Sequence, residues 1–161
     1  MMKYLLLWIL PLLIGCLKAE DPASKQLTPS YLVTKVSDGD TFWVDDHSLL
    51  GLKIRLIGID APESQDAFAR KEEPWGLEAK EFLTYLIFNL SVQLEFDLDS
   101  LDIYGRTLAY AYLADGSMVN EIIVEQGYAR VATYPPNSKY ETLFIAAEER
   151  AKLSLLGIWH N

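Results

Sequence analysis

Residues 31–63 read YLVTKVSDGDTFWVDDHSLLGLKIRLIGIDAPE, and the texture of this stretch decides the fold. Residues 31–37 alternate loosely between apolar and polar, and Thr41–Val44 is rich in β-prone side chains. Asp38-Gly39 between them is a hairpin turn signal. Residues 52–59 predict a third strand, and the polar, aperiodic residues 63–74 a surface loop. Beyond that loop, Trp75, Ala79, Phe82, Leu83, Leu86, Ile87 and Leu90 recur at three- and four-residue steps. That spacing gives one apolar stripe and predicts a helix over 75–90, with Pro74 suited to its first turn. Residues 92–98 alternate like a half-buried strand, 99–103 form a loop, and 106–113 make a further strand before Asp115-Gly116 turns the chain. A short helix is expected over 118–126, capped by Ser117 and ended by Gly127. The last helix is expected to start near Ser138, where Ser138 and Glu141 have the spacing of a capping box, and to run to about Leu153. Three strands, a helix, two strands and two helices make an α+β chain with a mainly β core: a small barrel with helices packed on it.

At 161 residues, half of them hydrophobic and 23% charged, the chain suits one domain with a real core and is not a disordered protein. Its formal net charge of −9 argues against tight, general binding to nucleic acid, because binding by counterion release needs a basic face. If such a polymer is handled at all, positive charge must be concentrated at one place, or a bound cation must help.

The first residues carry a separate signal. Lys3 precedes an apolar run from Tyr4 to Gly15, broken only by Pro11, which is too short to span a bilayer and fits the core of a signal peptide. The run ends in Leu13-Ile14-Gly15-Cys16, which looks like a bacterial lipobox, with cleavage before the cysteine and lipidation of its thiol. The other reading makes Cys16 a small apolar residue of a simple signal peptide cut after Ala19. The expected organisation is thus a signal peptide over 1–15, a polar tether over 16–30 and one domain over 31–161. Either reading exports the protein, as a lipoprotein held at a membrane through Cys16 or as a secreted chain. Cys16 is the sole cysteine, so no disulfide contributes and stability must come from packing, with any bound metal adding to it.

The charged residues among the first strands carry the chemistry. Asp38 and Asp40 lie two positions apart, so extended backbone would lean both side chains to one face. Arg55 opens the run Leu56-Ile57-Gly58-Ile59, which ends in Asp60-Ala61-Pro62-Glu63. Carboxylates at a strand end and a turn can make a hard-oxygen site for Ca²⁺, and a nearby arginine suits a phosphate. Tyr104-Gly105-Arg106 supplies a second arginine at the start of another strand.

Three segments together resemble the two signatures of the staphylococcal nuclease (thermonuclease) family: Asp38-Gly39-Asp40-Thr41, the run from Arg55 to Glu63, and Asp102-Ile103-Tyr104-Gly105-Arg106. The similarity continues through Gly76-Leu77-Glu78-Ala79, Met118-Val119-Asn120, Gly127 and Leu156-Gly157-Ile158-Trp159, and covers nearly everything after Ser30. The resemblance implies a five-stranded OB-fold barrel with three packed helices that cleaves DNA and RNA with Ca²⁺ and leaves 3′-phosphate ends. Carried over by position, Asp40 and Asp60 would ligate calcium, with the carbonyl of Ala61 as a further ligand and Asp38 in support. Glu63 would activate or orient the attacking water, and Arg55 and Arg106 would hold the scissile phosphate. Tyr104, and with less reason Tyr134, would contact substrate by stacking. The expected state is a monomer.

Taken singly, each segment has a plainer reading: Asp38-Gly39 as an ordinary hairpin turn, Arg55 and Asp60 as a surface ion pair, Tyr134-Pro135-Pro136 as a rigid turn. His47 and His160 lack partners at ligand spacing, and alternation places one of Phe42 and Trp43 in the core. The sequence departs from the family pattern at Ile103, where a cation is usual, and at Phe42, where an aliphatic residue is usual. In the loop after Glu63, Arg70 and Lys71 are diluted by Asp66, Glu72 and Glu73. These departures suggest weak substrate affinity and keep a non-catalytic OB-fold binding module, or an enzyme for another phosphodiester, as alternatives.

Overall fold

The structure, a computed structural model, describes residues 27–64 and 73–160. Five strands close into a barrel in the order β1-β2-β3-β6-β5: β1 (Tyr31–Asp38), β2 (Thr41–Val44), β3 (Leu52–Leu56), β5 (Ser91–Glu95) and β6 (Thr107–Tyr112). All neighbours are antiparallel except β3 and β6, which run parallel with Ile54 beside Thr107. Two short strands, β4 (Ile59–Asp60) and β7 (Arg130–Val131), pair outside the barrel. Helices α1 (Gly76–Ile87), α2 (Val119–Glu125) and α3 (Glu141–Leu153) pack on this frame, and a 3₁₀ turn, Gly157–Trp159, follows. The architecture is the five-stranded barrel with three helices that the sequence led us to expect.

The inward residues of β2, β3 and β5 follow strict alternation: Phe42 and Val44, Ile54 and Leu56, Val92 and Leu94 are all buried. In β1 the buried positions, Val33 and Val36, are three apart. Register shifts between Val33 and Lys35 and between Val36 and Asp38 explain this, since each irregularity rotates the strand. In β6, Ala109, Tyr110, Ala111 and Tyr112 are all buried, because one face lines the barrel and the other is covered. Ala79, Leu83 and Ile87 form the buried edge of α1, at steps of four that keep them on one face against β1.

Several boundaries differ from the sequence expectation, each for a local reason. The predicted strand over 52–59 breaks at Ile57-Gly58, where Ile57 N–H reaches the Ala109 carbonyl and the chain turns out to pair with β7. The helix predicted over 75–90 is shorter, because Trp75 has left-handed backbone (φ 71°) and Phe88 is extended (φ −61°, ψ 133°), ahead of left-handed Asn89 (φ 60°). Strands β5 and β6 are likewise shorter than 92–98 and 106–113. Neither predicted cap forms. Met118 and Tyr140 are the N-cap residues of α2 and α3 and make no side-chain cap bond. Ser117 N–H instead donates to Asp115 Oδ1, and Ser138 contributes only its carbonyl, to Glu141 N–H.

Of the expected leader and tether, residues 1–26, with Cys16, lie outside the described residues. Leu27–Ser30 lie against the barrel: Thr28 exchanges two hydrogen bonds with Leu94, and Leu27 packs on the core. No helix among the described residues is long and apolar enough to cross a membrane. At the other end, Gly127 and Gly157 meet face to face. A Cβ on Gly157 would come within 2.1 Å of the Gly127 carbonyl oxygen, so only glycine allows this approach, which Ile158 N–H seals by donating to Gly127 O.

Candidate active site

The barrel brings together one end of β1, β2, β3 and the short β4. Thr41 pairs with Arg55 across β2 and β3, which sets Asp40 and Arg55 at one barrel rim. From there Arg55 Nη2 reaches Asp40 Oδ2 at 3.0 Å and Asp60 Oδ1 at 2.8 Å. Its Nη1 donates to the carbonyls of Leu56 and Ile59, both at 2.9 Å, so the guanidinium is fixed by the turn that separates β3 from β4. The break in the predicted strand is therefore what aims Arg55 and carries Asp60 back to it.

Asp40 is buried, and each of its oxygens has a partner. Thr41 hydroxyl donates to Oδ1 at 2.9 Å, and Ala61 N–H donates to Oδ2 at 3.0 Å. Burial nevertheless pushes the Asp40 carboxyl above the ordinary carboxylate range, outweighing the Arg55 charge and these two hydrogen bonds. The site thus has less positive charge than its buried carboxylate needs. Asp38 Oδ1 accepts from Gly39 N–H at 3.0 Å and from Ser64 N–H at 3.1 Å, tying the β1–β2 turn to the segment carrying Glu63. Glu63 is half-buried, and its carbonyl accepts from Glu73 N–H at 2.9 Å. A Cβ on Gly76 would lie 2.0 Å from that same carbonyl oxygen, so the start of α1 can seat against Glu63 only as glycine.

Arg106 stands beside this cluster but is held differently. It immediately precedes β6, the neighbour of the strand β3 that carries Arg55. Its Nε donates to Asp102 Oδ2 at 2.6 Å, and its backbone N–H donates to Oδ1 of the same residue. Burial opposes ionisation of Asp102, but these Arg106 bonds and the Tyr104 N–H outweigh it and hold the carboxyl below its ordinary range. The guanidinium also lies 5.4 Å from the Tyr104 ring centroid. Tyr104 and Tyr134 are exposed; Tyr134 pairs with Asn137, and among the described residues no recorded contact ties it to the cluster. His47 is exposed beside Asp45, and Phe42 takes the core place while Trp43 lies outside it, bonded to Ser37 and under Lys53. Arg70 and Lys71 lie outside the described residues.

The donor set suits a hard cation in part. Asp40 and Asp60 offer oxygens that touch one guanidinium nitrogen, and Asp40 Oδ1, with one hydrogen bond, keeps a lone pair. Ca²⁺ takes about six to eight oxygens, so the Ala61 carbonyl, water and substrate would complete the shell. Among the described residues no group of three or more acidic, histidine or cysteine side chains gathers as a ready cage. The raised Asp40 carboxyl is the feature that most favours added positive charge.

Sequence reasoning missed three contributors. Thr41 holds Asp40 through its hydroxyl, and its place in the Asp-Gly-Asp-Thr segment was the available signal. Asp102 positions Arg106 from four residues away, inside the quoted segment. Buried Asn120 donates from Nδ2 to the Ile57 carbonyl and accepts from Ala111 N–H, pinning the turn that aims Arg55; the Met118-Val119-Asn120 segment was the available signal, but nothing in it pointed to Ile57.

A model of the family described as staphylococcal nuclease homologue matches residues 53–161. The chain is 37% identical over 157 residues to a thermonuclease of Staphylococcus intermedius, covering 95% of this chain and 92% of that one. It is 38% identical over 132 residues to a thermonuclease of Staphylococcus hyicus, covering 82% and 76% of the two chains. Endonuclease YncB of Bacillus subtilis is 38% identical over 146 residues, covering 88% of this chain and 68% of its own. With its barrel, its rim of carboxylates and arginines, and these likenesses across most of its length, the chain belongs to the staphylococcal nuclease family.

Proposed function

We propose that the chain is an exported, calcium-dependent nuclease that hydrolyses phosphodiester bonds of DNA and RNA at the Asp40–Arg55–Asp60 rim. The observation that carries the proposal is the single Arg55 nitrogen shared by two carboxylates, one of them buried and short of positive charge. Asp40, Asp60 and the Ala61 carbonyl would hold the calcium, with Asp38 fixing the turn that carries Asp40. Bound there, calcium would supply Lewis-acid neutralisation of a phosphoryl oxygen. Arg55, fixed by two carbonyls, places its charge where the scissile phosphate arrives. Arg106 pairs with a second phosphate oxygen on exchanging part of its bond to Asp102, and Tyr104 offers its exposed ring to a base. Tyr134, also exposed, is a second candidate contact of the same kind. Glu63 orients or deprotonates the attacking water from the loop start that Gly76 buttresses.

Cleavage of single-stranded DNA in Ca²⁺, in chelator, and by Glu63→Ala in Ca²⁺ tests this mechanism. We expect chelation to abolish cleavage and the substitution to slow it by roughly 100-fold or more. Activity indifferent to both removes the mechanism. A non-catalytic module is the second reading, and the engagement of Arg106 by Asp102 is what favours it. A folded chain that binds oligonucleotide but never cuts it would select that reading. Export rests on the Lys3 and Tyr4 to Cys16 segment, and mass spectrometry of the mature N-terminus separates a lipidated Cys16 from cleavage after Ala19.

A further inference from the structure

We propose that Arg130 is an additional phosphate-binding residue, which grips the nucleic-acid backbone beside the bond to be cut. The inference rests on the nuclease reading above and deepens it.

Arg130 lies directly opposite Asp60 in the antiparallel β4–β7 pair. Directly opposed residues of an antiparallel pair project to the same face, so Arg130 shares the face of a rim carboxylate although seventy residues separate them. It is exposed, and among the described residues no carboxylate lies within ion-pair distance of it. Arg55, Arg106 and Arg150, by contrast, are each bound to acidic side chains. In a chain of net charge −9, an exposed guanidinium with no carboxylate partner among the described residues, on the face of a rim carboxylate, is positive charge available to a polyanion.

Two features give this charge a defined place. The guanidinium lies 5.4 Å from the Trp159 ring centroid, and the 3₁₀ turn carrying that ring is locked to Gly127 by the Ile158 N–H. An aromatic ring beneath a guanidinium supports its planar fork and leaves N–H groups for a phosphate. Arg130 also lines an open cavity of about 480 Å³ together with Pro62, Glu73, Pro74, Trp75 and Ile158. Pro62 lies between Ala61 and Glu63, so the cavity begins where the rim ends. Trp75, held in a left-handed conformation unusual for a bulky residue, offers the cavity an aromatic wall.

Glu73 works against the grip. Glu73 lines the same cavity and is not paired with Arg130, so a phosphate arriving there meets an attracting residue and a repelling one. The pair makes the subsite weak by construction, and it makes the proposal testable in two opposite directions.

The test compares an octanucleotide with a dinucleotide, which has only the phosphate to be cut, for wild type, Arg130→Gln, Arg130→Lys and Glu73→Gln. In Ca²⁺, Arg130→Gln should lower the ratio of kcat/KM for the octanucleotide to that for the dinucleotide about tenfold, with the lysine variant recovering part of it. In chelator, anisotropy of labelled octanucleotide should give a slope of log Kd against log salt that is smaller by about one for Arg130→Gln. Glu73→Gln should tighten octanucleotide binding. Equal losses on both lengths with an unchanged salt slope would reduce Arg130 to a structural partner of Trp159 and overturn the proposal. Should Arg130→Gln fail to fold, unchanged binding by Glu73→Gln overturns it just as well. A wild type that cuts neither length defeats the nuclease reading itself, a result distinct from either.

Discussion

Two buried carboxylates, Asp40 and Glu95, sit in the same barrel and respond to burial in opposite ways. Burial pushes both carboxyls up. At Glu95 hydrogen bonds from Lys139, Tyr112 and Tyr140 more than offset it, and the group falls below its ordinary range. At Asp40 the Arg55 charge, Ala61 N–H and Thr41 hydroxyl do not offset it, and the group stays raised. One carboxylate is complete and the other is short of charge. The complete one lies against α3, where Tyr140 stacks edge-on to Tyr110 and only stability is at stake. The incomplete one lies at the rim where chemistry is proposed, in keeping with the tendency of functional sites to hold perturbed groups.

The largest expected effect tests the incomplete carboxylate. Asp40→Asn should reduce Ca²⁺-dependent cleavage by at least about 100-fold, because it removes a ligand charge next to Arg55. The same change should leave the apo protein as stable as wild type or more so, because a buried charge short of compensation disappears. Ca²⁺ at 100 times its Kd should stabilise wild type by about 2.7 kcal/mol and the variant by much less, as read by thermal melting. A destabilised apo variant would mean that Asp40 is as well satisfied as Glu95.

Glu95→Ala should show the reverse pattern. It removes the acceptor shared by two tyrosine hydroxyls and Lys139, although Lys139 is near enough to water to resolvate, so we expect a loss of about 3 kcal/mol in denaturant titration. At temperatures where the variant stays folded, its cleavage rate should stay within a few-fold of wild type.

The pH dependence sharpens the contrast further. The folded pKa of Glu95 lies below its unfolded value, so its contribution is present above the unfolded pKa of 4.5 and is lost as pH falls through the folded pKa. The folded pKa of Asp40 lies above its unfolded 3.8, so its contribution has the opposite sign: present below 3.8 and lost as pH rises through the folded pKa. Acid melts should therefore be flatter for Glu95→Gln than for wild type and steeper for Asp40→Asn. The smallest effect is Tyr112→Phe, which deletes one hydrogen bond to Glu95 and should cost about 1.5 kcal/mol, less than Glu95→Ala because the remaining tyrosine and lysine still hold the carboxylate.

The same contrast marks what the sequence makes legible. Asp40, Arg55 and Asp60 fall in a short run of chain with family spacing, and the barrel that gathers them follows from period-two alternation in β2, β3 and β5. The Glu95 cluster joins β5 to Lys139 and Tyr140 across more than forty residues, and neither a period nor a motif links them. The helix caps were misplaced because Ser117 and Ser138 have the right neighbours but lie before the helical backbone begins. The break at Ile57-Gly58 was hidden in an apolar run that reads as continuous strand. What interrupts it is tertiary, the Ala109 carbonyl and the Asn120 side chain.

The contact between Gly127 and Gly157 bears on the order in which the chain can be completed during its synthesis. Residues 157–159 are made after Gly127 and Arg130, and Gly157 meeting Gly127 is part of what places Trp159 beside Arg130. The barrel can close beforehand, since its last strand ends at Tyr112. A chain still emerging from the ribosome can therefore have all five barrel strands made while its Arg130 face is still incomplete.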